Sequence, residues 1–288
     1  MDFNTYLNKA WNDHATDAKS VANTFHEGLK LVQTAGDLEQ IGRLATHVYG
    51  EHLGKWNDGL SFINILSQHS QFSANSLVKK SFSIFKGSLS LSAQPSFDLK
   101  SYSVSDQIRI LAMSASSLSQ QGQPDKAKDY FLKAFELGQS GISKEDPANR
   151  SLAITGNNLA CSLEEKTSRN DKETDLMILA AQVARKFWEI AGGPSEISMA
   201  EYRLSQTYLQ AEQIEKSFEH AQLCVELCEN NKLSALDHFY GYEVIALAEK
   251  SRKNEIGYLK AVERLKLLFE QLSDNNKKWC EKALSKFL

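Results

Sequence analysis

The residues of this chain best suited to metal or nucleophilic chemistry are its seven histidines and four cysteines. Spacing decides what they can do. His47 and Glu51 are four apart and share one face of a helix, which makes half a metal site or, more simply, a hydrogen bond along the helix surface. His26-Glu27 continues to Lys30, where a zinc-binding helix needs a second histidine. Cys224 and Cys228 also share a helix face, but two thiols alone make a poor zinc site and helical geometry disfavours a disulfide. With Cys161 and Cys280 they read as buried free thiols, which fits a reducing compartment. The other histidines are scattered. No GxxxxGK(S/T) loop, GxGxxG turn, GxSxG elbow or HExxH pair occurs. An enzyme is therefore the least supported class, and neither a cofactor nor a metal is expected.

The elements that position these residues are helices. Of 288 residues, 42% are hydrophobic and 24% charged, as in a folded chain, while only four prolines interrupt long stretches of helical periodicity. The formal net charge of -3 is spread evenly, and the basic runs are short pairs such as Lys79–Lys80 and Lys277–Lys278. Nucleic-acid binding calls for a basic stripe, so no nucleic-acid partner is expected. The N-terminus lacks the basic start and apolar run of a signal peptide, and no window approaches the ~18 apolar residues of a membrane span. A cytoplasmic protein without a membrane partner is the expectation.

From Phe3 to about Thr34 the apolar residues recur at helical spacing, which predicts one long helix or two in line, closed at Ala35-Gly36. Asp37 is the expected N-cap of the next helix, with Ile41, Leu44, Ala45 and Val48 on its face. A turn at Leu53-Gly54 leads to Trp56, Gly59, Ile63 and Leu66. Ser73 to Leu91 is a serine-rich helix with a small-residue packing face, and Ser92 to Ser103 is a loop around Pro95. Ser105 to Gln139 reads as two short helices folded back on each other around Gly122-Gln123-Pro124. Leu111, Ser114, Ala115 and Leu118 lie on the first, and Ala127, Phe131 and Ala134 on the second.

Asp146-Pro147 starts another helix. Its return partner, carrying Ala180, Ala184 and Phe187, comes late because KTSRNDKETD intervenes; Gly192-Gly193-Pro194 ends it through a left-handed glycine cap. A third pair has Leu204, Ser205 and Tyr208 answered by Ser217, Ala221 and Cys224, and a weaker fourth has Tyr242, Glu243 and Ala246 followed by Gly257 and Ala261. The last helix, Asn275 to Leu288, caps the stack. Trp11, Trp56, Trp188 and Trp279 all sit within apolar faces and are expected in the core.

The order of small and aromatic residues in Ser105–Gln139 is similar to the tetratricopeptide repeat, and Leu159-Ala160-Leu163, Leu204-Ser205-Tyr208 and Tyr242-Glu243-Ala246 give fainter copies. The resemblance implies an all-α fold. It would comprise an N-terminal helical bundle with a degenerate pair, residues 1–103, then a right-handed α-solenoid of elongated helical hairpins with a C-terminal capping helix, 104–288. In that family the first helices of successive pairs line a concave groove. The positions that map there are Arg109, Met113 and Ser116, then Asn157, Asn158 and Glu164, then Tyr202, Arg203 and Gln206, then Asp237 and Tyr240, with Arg43 at the matching place in the N-terminal pair. An Asn amide can bond both sides of a peptide unit, Arg offers a planar fork to a carboxylate, and Tyr gives rigid apolar area with a polar tip. The run Asn157-Asn158-Leu159-Ala160 resembles the repeats of kinesin light chains and of peptide-sensing bacterial regulators, whose groove Asn contacts ligand backbone.

What the resemblance implies is a non-catalytic adaptor that binds a protein or peptide in its groove. Two alternatives differ in kind. One is a peptide-sensing regulator whose N-terminal bundle is repositioned by ligand. The other is a homodimer through the last helix, whose Trp279, Ala283, Leu284, Phe287 and Leu288 would form an exposed apolar cap.

Overall fold

The computed structural model describes residues 1–73, 76–140 and 142–287, and every regular element among them is helical. They form two compact units, Met1–Ile142 and Ser143–Leu288. The boundary expected at 103/104 falls inside the first.

In the first unit, the stretch read as one helix or two is three: α1 (Phe3–Asp13), α2 (Ala18–Asn23) and α3 (Phe25–Lys30). Side chains that bond locally to the backbone cause the breaks. Asp17 accepts from the Ser20 amide, and the Thr24 hydroxyl donates to the Val21 carbonyl at 2.8 Å. Val21 and Phe25, on either side of the second break, are both buried, Phe25 fully. α4 (Ala35–His47) begins where a helix end was expected. Thr34 is its N-cap and Asp37 completes the box from inside, accepting from the Thr34 amide.

A π-helical turn, Val48–His52, continues α4, and α5 (Trp56–Leu66), α6 (Ser70–Ser73) and α7 (Ser76–Ala93) follow. The helix expected from Ser73 to Leu91 is thus described from Ser76, residues 74 and 75 lying outside the described part. Phe25, Leu38, Ile41, Leu44, Phe62, Ile63, Leu66 and Phe82 build this unit's core.

The hairpin expected from the sequence is α8 (Val104–Gln120) and α9 (Pro124–Gln139). Its signature residues from Leu111 to Ala134 are buried against each other, and Gly122 closes the turn at φ +70°. α8 also packs on α7: Ser114 donates to the Ser88 carbonyl at 3.0 Å, and a Cβ at Gly87 would lie 2.5 Å from Ile110 Cδ1. That packing joins α8 to the preceding helices.

The second unit consists of successive pairs: α10 (Pro147–Glu164) with α11 (Asp171–Ala191), α12 (Pro194–Gln210) with α13 (Ile214–Asn230), and α14 (Ala235–Ser251) with α15 (Glu255–Glu270). α16 (Asp274–Leu284) and a 3-10 turn, Ser285–Phe287, end it. α11 starts earlier than expected because Asn170 and Glu173 form a capping box, so the second half of KTSRNDKETD is helix. α10 and α11 approach closely at Gly156, where a Cβ would lie 2.7 Å from the Ala180 carbonyl oxygen. Gly192 is extended, φ -114°, and not left-handed. Trp279 is 80% exposed, a correction to its expected place in the core, while Trp11, Trp56 and Trp188 are half-buried. Leu284 and Phe287 are buried beside Leu265 and Leu268; Leu288 lies outside the described residues.

Candidate functional site

Six of the positions expected in a groove meet in the second unit, where α12 packs on both α10 and α14. Arg203 on α12 donates to the Glu164 carboxylate at the end of α10, and its Nε reaches Asn157 Oδ1 at 3.4 Å. Thr207, one turn further along α12, donates to the other Glu164 oxygen. Tyr202 turns to α14, donating to Glu243 at 3.2 Å, and Gln206 donates to the Tyr202 hydroxyl at 3.1 Å. The Tyr202 and Tyr240 rings meet edge to face at 5.4 Å. The i, i+3, i+4 spacing of Tyr202, Arg203, Gln206 and Thr207 puts all four on neighbouring positions of one helix surface.

Burial gives this face its electrostatics. It disfavours the charged forms of both Glu164 and Arg203. For Arg203 the attraction of Glu164 outweighs burial and holds the guanidinium charged, whereas for Glu164 burial is the larger effect and raises its carboxyl above the usual range. Burial, then the neighbouring Glu243 charge, pushes the Tyr202 phenol upward, so it stays a hydrogen-bond donor. Tyr240 is pushed up to about 12, first by burial and then by Cys280 beside it. Glu243 is 1% exposed and is bonded by Tyr202 and by Lys286 at 3.1 Å. This is a preorganised polar surface with its charges paired.

The other expected positions are placed differently. Asn158 is exposed beside this network, taking a 3.3 Å hydrogen bond from Asn157. Asp237 caps α14 and accepts from Ser195 at 2.8 Å. Arg43 lies in the first unit, exposed on α4 and bonded to Glu39 at 3.3 Å. Arg109 is half-buried on α8, and Ser116 is buried, donating to Glu51 at 2.8 Å. Sequence reasoning did not find Glu243 as the receiver of Tyr202, nor Thr207. Their signal was an i+4 relation along α12 and a carboxylate on the next first helix.

His47 and Glu51 do bond, Nδ1 to Oε1 at 3.0 Å. Two further histidines join them. His14 from the end of α1 and His52 from the π turn bring a ring nitrogen each to within 4.8 Å of one on His47. Among the described residues this is where imidazole ligands gather.

Residues 108–138, within the α8–α9 pair, match the tetratricopeptide repeat family. Over nearly its whole length the chain is similar in fold to BtubC (BKLC) from P. vanneervenii. That crystal structure aligns over 93% of this chain and 91% of its own, with a TM-score of 0.50 and 12% identity, a likeness of fold alone. No curated protein matches the sequence. No helix among the described residues is long and apolar enough to cross a membrane.

Proposed function

We propose that the chain is a non-catalytic protein-binding scaffold and that the surface of α10, α12 and α14 takes an extended peptide or a partner helix. The observation that supports this most is the convergence of Asn157, Tyr202, Arg203, Gln206 and Tyr240, five residues from three helices, on one continuous surface. The roles divide by exposure. Asn158, exposed, offers amide donors and an acceptor to a ligand backbone. Tyr240 adds half-buried aromatic area. Arg203 braces the surface through Glu164 and presents what remains of its fork.

The test compares capture of partners from the source cell's lysate by the wild type, by Asn158→Arg and by Arg203→Ala, with urea unfolding of each. Asn158→Arg is expected to lose the partner with unchanged stability. Arg203→Ala leaves Glu164 buried without its cation and is expected to cost about 3–5 kcal/mol. Retention of the same partner by Asn158→Arg would move the binding site off this surface. Pairing of two chains through α16 is a second reading that the exposed Trp279 favours. Leu284 and Phe287 are already committed to the core, so the dimer would rest on that one ring, and sedimentation of Trp279→Ala beside the wild type tests it.

A further inference from the structure

We infer that His14, His47 and His52 form a binding site for a divalent transition-metal ion, zinc in the first instance, with a fourth coordination position open to solvent. The three residues come from two separate places in the chain, and a backbone irregularity brings them together. His47 and His52 are five apart. In a regular α-helix, residues five apart point about 140° away from each other. The π turn changes this: the Leu53 amide bonds the Val48 carbonyl at 3.0 Å, an i to i+5 bond, and the widened turn returns His52 to the side of His47. Their Nε2 atoms stand 3.1 Å apart. His14 closes the third side, with ring centroids 5.0 Å from His47 and 4.9 Å from His52.

The hydrogen bonds around the cluster select the ligand atoms. His47 Nδ1–H donates to Glu51, and His14 Nδ1–H donates to the Trp11 carbonyl. Each bond fixes the tautomer that leaves Nε2 with a bare lone pair, the pattern of a histidine ligand oriented by a carboxylate or carbonyl behind it. Glu51 is itself held, accepting from Ser116 at 2.8 Å, and the Gln121 side chain donates to its backbone carbonyl at 2.6 Å.

Dimensions agree. With metal–nitrogen bonds of ~2.0–2.1 Å at tetrahedral angles, ligand nitrogens lie about 3.4 Å apart. The pair at 3.1 Å is already there, and the widest separation of 4.8 Å has about 1.4 Å to close by ring rotation. Trp11 walls one side, its ring 5.1 Å from His14 and 5.5 Å from His47. His52 is exposed, so the open position faces water, where a solvent molecule or a carboxylate completes the shell. Three imidazoles with no thiolate suit zinc, nickel or copper over calcium or magnesium.

The experiment is calorimetric titration of the full chain with zinc chloride, repeated with cobalt chloride while recording visible absorption. The expected result is one ion per chain and a tetrahedral cobalt spectrum without thiolate charge transfer. His14→Ala, His47→Ala and His52→Ala are each expected to weaken binding by at least about tenfold, and Glu51→Gln by up to about that much through His47. His52 is exposed, so metal-free His52→Ala is expected to unfold at the wild-type temperature, separating lost ligation from lost fold. Absence of saturable one-to-one binding would overturn the assignment. So would binding unchanged in both His14→Ala and His52→Ala, or thiolate charge transfer, which would place the ion on cysteines.

Discussion

The α8–α9 and α12–α13 hairpins have the same backbone and opposite distributions of bulk. Aligned at their turns, Gly122 on Glu212, Ser114 of the first stands where the second has Leu204, Leu118 where it has Tyr208, and Phe131 where it has Ala221. In the first pair the aromatic ring projects from the second helix toward small residues, and Phe131 is fully buried. In the second the ring comes from the first helix: Tyr208 is 5% exposed, stacked on His220 at 5.2 Å, with its hydroxyl taking a hydrogen bond from Gln182 at 2.8 Å. Interiors conserve filled volume and are indifferent to which wall supplies it. A family pattern that fixes residue type by position therefore matches α8–α9, while the fold persists in the pairs after it.

The largest effects should come from emptying those two places. Phe131→Ala and Tyr208→Ala are each expected to cost about 3–5 kcal/mol in urea unfolding, the scale for removing a buried ring. The sharper test adds volume. If α12–α13 has moved its ring to the other helix, the space opposite Ala221 is filled, and Ala221→Phe should destabilise by about 1–3 kcal/mol. A double variant, Tyr208→Ala with Ala221→Phe, should recover part of both losses. Ala221→Phe tolerated without cost would mean that the second hairpin is underpacked, and the exchange of walls would fail.

The same contrast explains what could be read from the sequence. α8–α9 was legible because Gly122-Gln123-Pro124 and the small and aromatic positions around it are local signals. Later pairs were legible through fainter copies of the same order of small and large residues. The network of Arg203 was half legible. The repeat resemblance put Tyr202, Arg203, Gln206 and Glu164 alike in the groove, but that Arg203 pairs with Glu164, 39 residues earlier, follows only from the packing of α12 on α10. The imidazole cluster was hidden for a different reason: a reading at 3.6 residues per turn separates His47 from His52, and the π turn that unites them leaves no local composition signal beyond Gly50 and Gly54 around it. The breaks at Asp17 and Thr24 were hidden likewise, since Thr24 is held partly by Tyr6, 3.2 Å away and 18 residues earlier. Trp279 followed the apolar periodicity of its helix and is nevertheless exposed, because Cys280 and Leu284 are the residues that α16 turns inward.

Acid should separate two buried carboxylates within the second unit. Burial acts to raise Glu201, but His220 at 2.6 Å and Arg185 outweigh it and its carboxyl lies below the ordinary value of 4.5. A depressed carboxyl contributes stability that is complete above the unfolded value and is lost as pH falls through the folded one. Glu164 is raised by burial, so its contribution runs the other way and folding is favoured as pH falls through its folded value. Unfolding followed from pH 7 to pH 3 should show a shallower acid loss in Glu201→Gln than in the wild type, and a steeper one in Glu164→Gln. Parallel curves for the two variants would show that their environments do not differ as the geometry requires.

The smallest expected effect lies in the turns themselves. At the C-terminus of α8 the Gln123 amide bonds the Leu118 carbonyl at 2.9 Å across Gly122, a helix end that needs a left-handed residue in its middle. α12 and α14 end in the same way, with Gln213 on Tyr208 at 2.8 Å and Asn254 on Glu249 at 3.0 Å, but the left-handed residues are Glu212 at φ 58° and Lys253 at φ 60°. A side chain there costs about 1–2 kcal/mol of backbone strain, and glycine returns part of that gain through the greater freedom of its unfolded chain. Glu212→Gly and Lys253→Gly should therefore each stabilise by about 0.5–1 kcal/mol, while Gly122→Ala should destabilise by a similar amount. A Cβ at Gly122 meets nothing within 4 Å, so its cost isolates the backbone term from packing. Opposite signs at equivalent turns would show that these hairpins share one backbone requirement, which glycine meets in the first pair and which the surrounding packing enforces in the later two.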